Sequence, residues 1–129
     1  AKPYPLSLDN ASILQRIKEG YLLWINIAVH IPKGQRYTIG SRIEHKFLGL
    51  LELAYVAYFT TDKDKKIEKV EQCILSLDVL KFLIHVAWEA KLIGHKHFAD
   101  LVEKLNEVGR MLGGWKKKLE NPENKNREC

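Results

Sequence analysis

A chain of 129 residues with 46% hydrophobic and 29% charged side chains is long enough for one domain with its own core. Its richest apolar run, Tyr21 to Ile31, is interrupted by Asn26 and His30 and falls short of the roughly 18 residues that a membrane span needs. A formal net charge of +5 favours an acidic partner, either nucleic acid or an acidic protein surface, and excludes neither.

The pattern is helical throughout, and all four prolines (Pro3, Pro5, Pro32 and Pro122) fall at the edges of helical segments. Residues 1–8 read as an N-terminal extension. A first helix is predicted from Asp9 to His30, with Ile13, Ile17, Tyr21, Trp24 and Ala28 at three- and four-residue spacing. Pro32 biases Ile31 away from helical dihedrals and should stop it, and Gly34 permits a turn. Thr38 or Ser41 can cap a second helix from Ile39 to Phe59, with Ile43, Phe47, Leu50, Leu51, Ala54 and Tyr58 as its stripe. Thr61 and Asp64 resemble a capping box for a third helix, which should continue to Ile93 and stop at Gly94. A fourth is predicted from His97 to Leu119, on Phe98, Leu101, Leu105, Val108, Leu112 and Leu119. Residues 121–129 are polar and expected to be a disordered tail. Four long helices over residues 9–120 with short connections predict an all-α fold, an antiparallel up-down-up-down four-helix bundle.

The third helix is apolar on too many sides for a lone bundle. At about 100° per residue, Cys73, Leu77, Leu80, Ile84, Ala87 and Trp88 share one face. Leu75, Val79, Phe82, Val86 and Ala90 share the opposite one. The excess face calls for a second copy of the chain, with Leu75, Val79, Phe82 and Val86 as the interface, or else for a deeply buried helix in a monomer. Leu22, Leu23 and Val29 on the first helix are likewise spare.

Chemistry-bearing motifs are absent. No Glu-x-x-His pair marks a di-iron bundle, and His95-x-His97 at a turn lacks further ligands, so no metal is expected. There is no phosphate loop and no Gly-x-Ser-x-Gly, so neither a cofactor nor an enzyme is expected. Cys73 reads as a small buried hydrophobe, and Cys73 with Cys129 make no disulfide framework. The N-terminus lacks a basic stretch followed by an apolar one, and the expected location is cytoplasmic, with no membrane partner. Gly109, Gly113 and Gly114 imply either close approach of a neighbouring helix, with Trp115 over the gap, or fraying.

Positive charge concentrates in two stretches. Lys33, Arg36, Arg42 and Lys46 surround the junction of the first two helices with Glu44 as the one anion in residues 31–50. Arg110, Lys116, Lys117 and Lys118 lie near the end of the fourth helix. The last three also complement a helix C-terminus, which alone would account for them. Phosphate contacts from Lys and Arg supply sequence-independent affinity, and these residues are the candidate nucleic-acid or partner surface.

Two segments carry a resemblance. Ile31-Pro-Lys-Gly-Gln-Arg-Tyr-Thr-Ile-Gly-Ser-Arg-Ile43 and Glu107-Val-Gly-Arg-Met-Leu-Gly-Gly-Trp115 resemble a family of small four-helix-bundle proteins. It includes the accessory variability determinant (Avd) of diversity-generating retroelements. A related branch is encoded in intervening sequences of bacterial 23S ribosomal RNA genes. The resemblance covers roughly residues 6–119, and the second segment with Leu80-Lys-Phe-Leu-Ile-His-Val-Ala87 is closer to Avd. It implies a homopentameric ring with a basic surface that binds nucleic acid and the retroelement's reverse transcriptase. The ring would support synthesis of the mutagenised DNA copy of a template RNA without chemistry of its own. It also implies that basic residues of helix three near Lys81 and His85 join the binding surface, although a histidine there is only partly charged at neutral pH. The alternative is a structural or protein-interaction bundle of the ribosomal-intervening type with no reverse-transcriptase partner.

Overall fold

Four long helices dominate the computed structural model, which describes residues 12–121: α1 (Ser12–Ala28), α2 (Ser41–Phe59), α3 (Lys63–Glu89) and α4 (His95–Glu120). No strand occurs among the described residues. Both α1 and α3 pack against α2 and α4, so α1 and α3 lie on one diagonal of an antiparallel bundle. The predicted start at Asp9, the 1–8 extension and the tail beyond Asn121, with Cys129, lie outside the described residues.

The periodic apolar positions meet along the bundle axis. Ile17 and Trp24 of α1, Phe47 and Leu50 of α2, Leu77, Leu80 and Ile84 of α3 and Leu101, Leu105 and Leu112 of α4 are each at most 1% exposed. Full burial of such a side chain contributes about 1.5–3 kcal/mol. Cys73 is buried with them, and burial pushes its thiol up to about 11, so it packs as a hydrophobe. Gly20 lets α1 approach α2: a Cβ there would stand 3.1 Å from Phe47 Cε1. Trp24 has a fully buried indole N–H with no partner among the described residues.

Several boundaries differ from the sequence expectation, each for a local reason. α1 ends at Ala28, two residues early, in a turn where His30 N–H donates to Ile27 O and Ile31 N–H to Ala28 O. Pro32, extended at φ −54° and ψ 142°, then starts helical backbone at once. Lys33–Gln35 form an α turn, Arg36–Gly40 a π turn, and α2 follows without a break. Gly34 is therefore helical, and no described glycine has positive φ. Neither Thr38 nor Ser41 caps; the Thr38 hydroxyl donates back to Gln35 O at 3.2 Å. The cap of α3 is Asp62, whose Oδ2 accepts the Lys65 N–H at 3.0 Å.

α3 stops at Glu89, not Ile93. Lys91 takes the left-handed conformation, φ 63°. Its N–H donates to Trp88 O and the Leu92 N–H to Ala87 O, both at 2.9 Å. These are the two bonds of a Schellman stop, with lysine where glycine is usual. Gly94, extended at ψ 170°, instead precedes α4, which begins at His95. At the other end α4 runs through Gly113 and Gly114 to Glu120, so those glycines do not fray it. Neither would place a Cβ within 4 Å of another group, and Gly109 would meet only Leu77 Cδ2 at 3.4 Å.

Candidate nucleic-acid interface

Because the chain runs up, down, up and down, the α1–α2 and α3–α4 links lie at the same end of the bundle. Residues 29–46 and 85–100, remote in sequence, are thereby brought to that end. Together they hold six fixed cations, Lys33, Arg36, Arg42, Lys46, Lys91 and Lys96, against three carboxylates, Glu44, Glu89 and Asp100. All five histidines of the chain, His30, His45, His85, His95 and His97, are here as well. The opposite end is rich in lysine too, but Asp62, Asp64, Glu68, Glu71 and Glu120 interleave with it.

The ten residues expected to bind nucleic acid or a partner divide between these regions and between roles. Lys33 and Arg42 are exposed and Lys46 half-buried, and none has an ion pair or side-chain hydrogen bond among the described residues. Arg36 is committed elsewhere. Its Nε and Nη2 donate to Ile31 O at 3.2 and 2.9 Å, and Nη2 also donates to Val29 O at 3.1 Å. It thus satisfies the carbonyls left open where α1 ends. Lys81 reaches across to Asn106 Oδ1 at 3.3 Å. His85 Nδ1 lies 3.4 Å from Glu89 Oε1. Arg110 and Lys117 are exposed toward the opposite end, with Lys118 in the same last turns, and Lys116 pairs with Glu71 at 3.2 Å. On the α1–α4 face, Arg16 pairs with Glu107 at 2.6 Å and Lys104 lies 3.9 Å from Glu19. A hydrogen bond from Gln15, with Arg16 and Lys104 alongside, holds the Glu19 carboxyl below its usual range.

Of the four residues expected at a copy-to-copy interface, Leu75 and Phe82 are about two-thirds exposed, and Val79 and Val86 half-buried. They line α3 on the side away from the core. Leu22 and Ile25 on α1, with Val29 in the turn that follows it, form a matching stripe, also directed away from the core, while Leu23 packs onto the core. A separate exposed group, Tyr55, Val56 and Phe59 on α2, has its rings in contact, Tyr55 and Phe59 at 4.9 Å.

One cluster escaped the sequence reading. At the α3–α4 corner the Trp88 and Phe98 rings stack with centroids 4.5 Å apart and 9° between planes. His85 lies 5.6 Å from Trp88, and His95 5.4 Å. The Trp88 indole N–H donates to His95 Nδ1 at 3.2 Å. Neither segment alone signals this; only the tight turn at Lys91 brings Phe98 back over Trp88. Beside it opens a cleft of 630 Å³ lined by Trp88, Glu89, Lys91, Leu92, Ile93 and His95, among others. Among the described residues no three His, Cys, Asp or Glu side chains gather as metal ligands would. No described helix is long and apolar enough to cross a membrane.

A search of curated proteins finds no match. A family model described as bAvd-like matches residues 12–119, from the first described turn of α1 to the last turn of α4. A match over that much of the molecule, on an all-helical four-helix architecture, places the chain in the bAvd-like family, and it is an Avd-type accessory protein.

Proposed function

We propose that the protein is a non-enzymatic, oligomeric scaffold that binds nucleic acid and a reverse transcriptase. In that role it supports cDNA synthesis in the mutagenic retrohoming of a diversity-generating retroelement. The partner class is what the resemblance to Avd implies, and membership of the bAvd-like family agrees with that reading. The observation that carries the nucleic-acid part is the cation-rich end, where Lys33, Arg42, Lys46, Lys91 and Lys96 have no carboxylate partner among the described residues. Unpaired cations gathered at one end raise the local potential and release counterions from a phosphate backbone.

Assembly is supported by the two apolar stripes. They differ in sequence and face opposite ways on the α1–α3 diagonal, so joining copies through them is head-to-tail, which closes into a ring when the rotation allows. Leu22 and Ile25 lie in the half of α1 nearer the cation-rich end, with Val29 just beyond it, and Phe82 and Val86 lie in the same half of α3. Copies meeting through these stripes need no shift along the bundle axis, as a closed ring requires and a helical filament does not. The ring is proposed to be a pentamer, five times the 14.9 kDa chain mass.

The test is titration of a structured RNA at several salt concentrations, with wild-type protein and with Arg42→Glu/Lys46→Glu. Wild-type affinity should fall steeply with salt, and the variant should bind at least tenfold more weakly at low salt with an unchanged circular dichroism spectrum. Absence of binding by the wild type even at low salt would overturn the nucleic-acid role and leave a bundle whose partners are proteins.

A further inference from the structure

The geometry points to a second binding element within this surface: the α3–α4 corner takes an unpaired nucleotide of a single-stranded nucleic acid, its base against Trp88 and its phosphate on Lys91. This rests on the nucleic-acid reading above and names where single strands are told from duplexes.

Three observations converge. The first is the aromatic group itself. Parallel Trp88 and Phe98 with His85 and His95 around them form a short stack, the arrangement on which proteins seat bases irrespective of sequence. Trp88 is half-buried and lines the cleft, and its indole N–H is already engaged by His95, which fixes the ring plane. The second is the cleft. Its 630 Å³ falls within the roughly 300–1,000 Å³ of small-ligand sites, and Leu92 and Ile93 give it an apolar wall.

The third is Lys91. Its left-handed backbone is a position where glycine avoids the Cβ clash and any other residue is strained. Keeping lysine there puts a side chain with no ion pair among the described residues in the lining of the cleft that Trp88 also lines, at a cost in stability, and strain retained in this way marks a functional position. The one carboxylate lining the cleft, Glu89, has its Oε1 3.4 Å from His85 Nδ1. A duplex holds its bases inside its own stack, so a base-seating corner selects strands with unpaired bases.

Lys91→Gly gives the sharpest test, because structure and binding predict opposite signs. The variant should unfold a few degrees higher than the wild type, since glycine relieves the strain. It should also bind a short oligouridylate or oligothymidylate at least threefold more weakly. Lys33→Ala, which removes one cation at the same end but outside the cleft, should cost less. In a Trp115→Phe background, where Trp24 is buried and constant, either oligonucleotide should change Trp88 fluorescence. The ratio of RNA to DNA affinity reports which sugar the site accepts. A duplex of equal phosphate number should leave the Trp88 signal unchanged.

Equal losses for Lys91→Gly and Lys33→Ala, with no Trp88 signal, would show that the corner contributes charge alone, and the proposal would fail while the basic surface stood. The same Trp88 change with polyglutamate would assign the cleft to acidic polypeptide and also overturn it. Failure of all nucleic acids to bind would remove the surface and the corner together.

Discussion

Replacing Arg36 with alanine removes three hydrogen bonds at once, all to carbonyls at the end of α1. Hydrogen bonds from a charged donor contribute about 1.5–3 kcal/mol each when shielded. Here one of the three is exposed and the two to Ile31 O share an acceptor, so the group is worth about 1–2 kcal/mol in total. For a chain of this length that corresponds to a fall in Tm of about 3–8 °C. Arg36→Lys should recover little of it, because an ammonium cannot present the planar fork that reaches both Val29 O and Ile31 O. Arg42→Ala, by contrast, should change stability by less than about 0.5 kcal/mol. It should instead lower the salt dependence of RNA binding by about one phosphate contact. Thermal unfolding at matched protein concentration and salt titrations of RNA binding read the two effects separately. An Arg36→Ala protein that melts like the wild type but loses salt dependence as Arg42→Ala does would refute this division. Arg36 would then be a phosphate ligand and its carbonyl contacts incidental.

Two further perturbations test the packing of the bundle. Gly113→Ala with Gly114→Ala should stabilise the bundle by about 0.5–1 kcal/mol per site, since both are helical and neither Cβ meets anything within 4 Å. Gly20→Ala, pressed against Phe47 at 3.1 Å, should instead be neutral or destabilising by up to about 2 kcal/mol; denaturant melts decide both.

The helices and core were legible because burial follows the 3.6-residue period: Cys73, Leu77, Leu80, Ile84 and Ala87 are buried as their spacing required. The exposed stripe of Leu75 and Phe82 follows from the same arithmetic. Boundaries failed where the backbone ignores residue-type signals. Lys91 adopts the conformation that glycine advertises, and Gly94, which does advertise it, stays extended. The role of Arg36 was hidden because a side chain reaching back five and seven residues leaves no periodic trace. The cation-rich end was half visible. The cluster at Lys33, Arg42 and Lys46 shows in sequence, but Lys91, Lys96 and three of the five histidines join it only through the antiparallel turn of the chain. The predicted topology already implied that juxtaposition; the signal lay in combining the two links, not in either motif.

The positions of the apolar stripes also bear on how nucleic acid would be held in the proposed role. When the α1 stripe of one copy meets the α3 stripe of the next, one rotation relates every neighbour, and the bundles stand side by side with like ends together. Each cation-rich end is then repeated around a single face of the ring. An oligonucleotide long enough to touch two ends gains an effective concentration for the second contact, raising apparent affinity by about 10²–10⁴ without new chemistry. One too short to bridge gains nothing. Affinity should therefore climb steeply at a threshold length and not in proportion to phosphate number. Leu75→Glu/Phe82→Glu, which puts carboxylates on the α3 stripe, should yield monomers by light scattering. Because both positions are exposed in the single chain, its fold should survive. In that variant the threshold should vanish while short oligonucleotides bind as before. A threshold that persists in the monomer would mean that one bundle offers two separated sites. The opposite end, with Arg110 and Lys117 exposed on it, would then be the second.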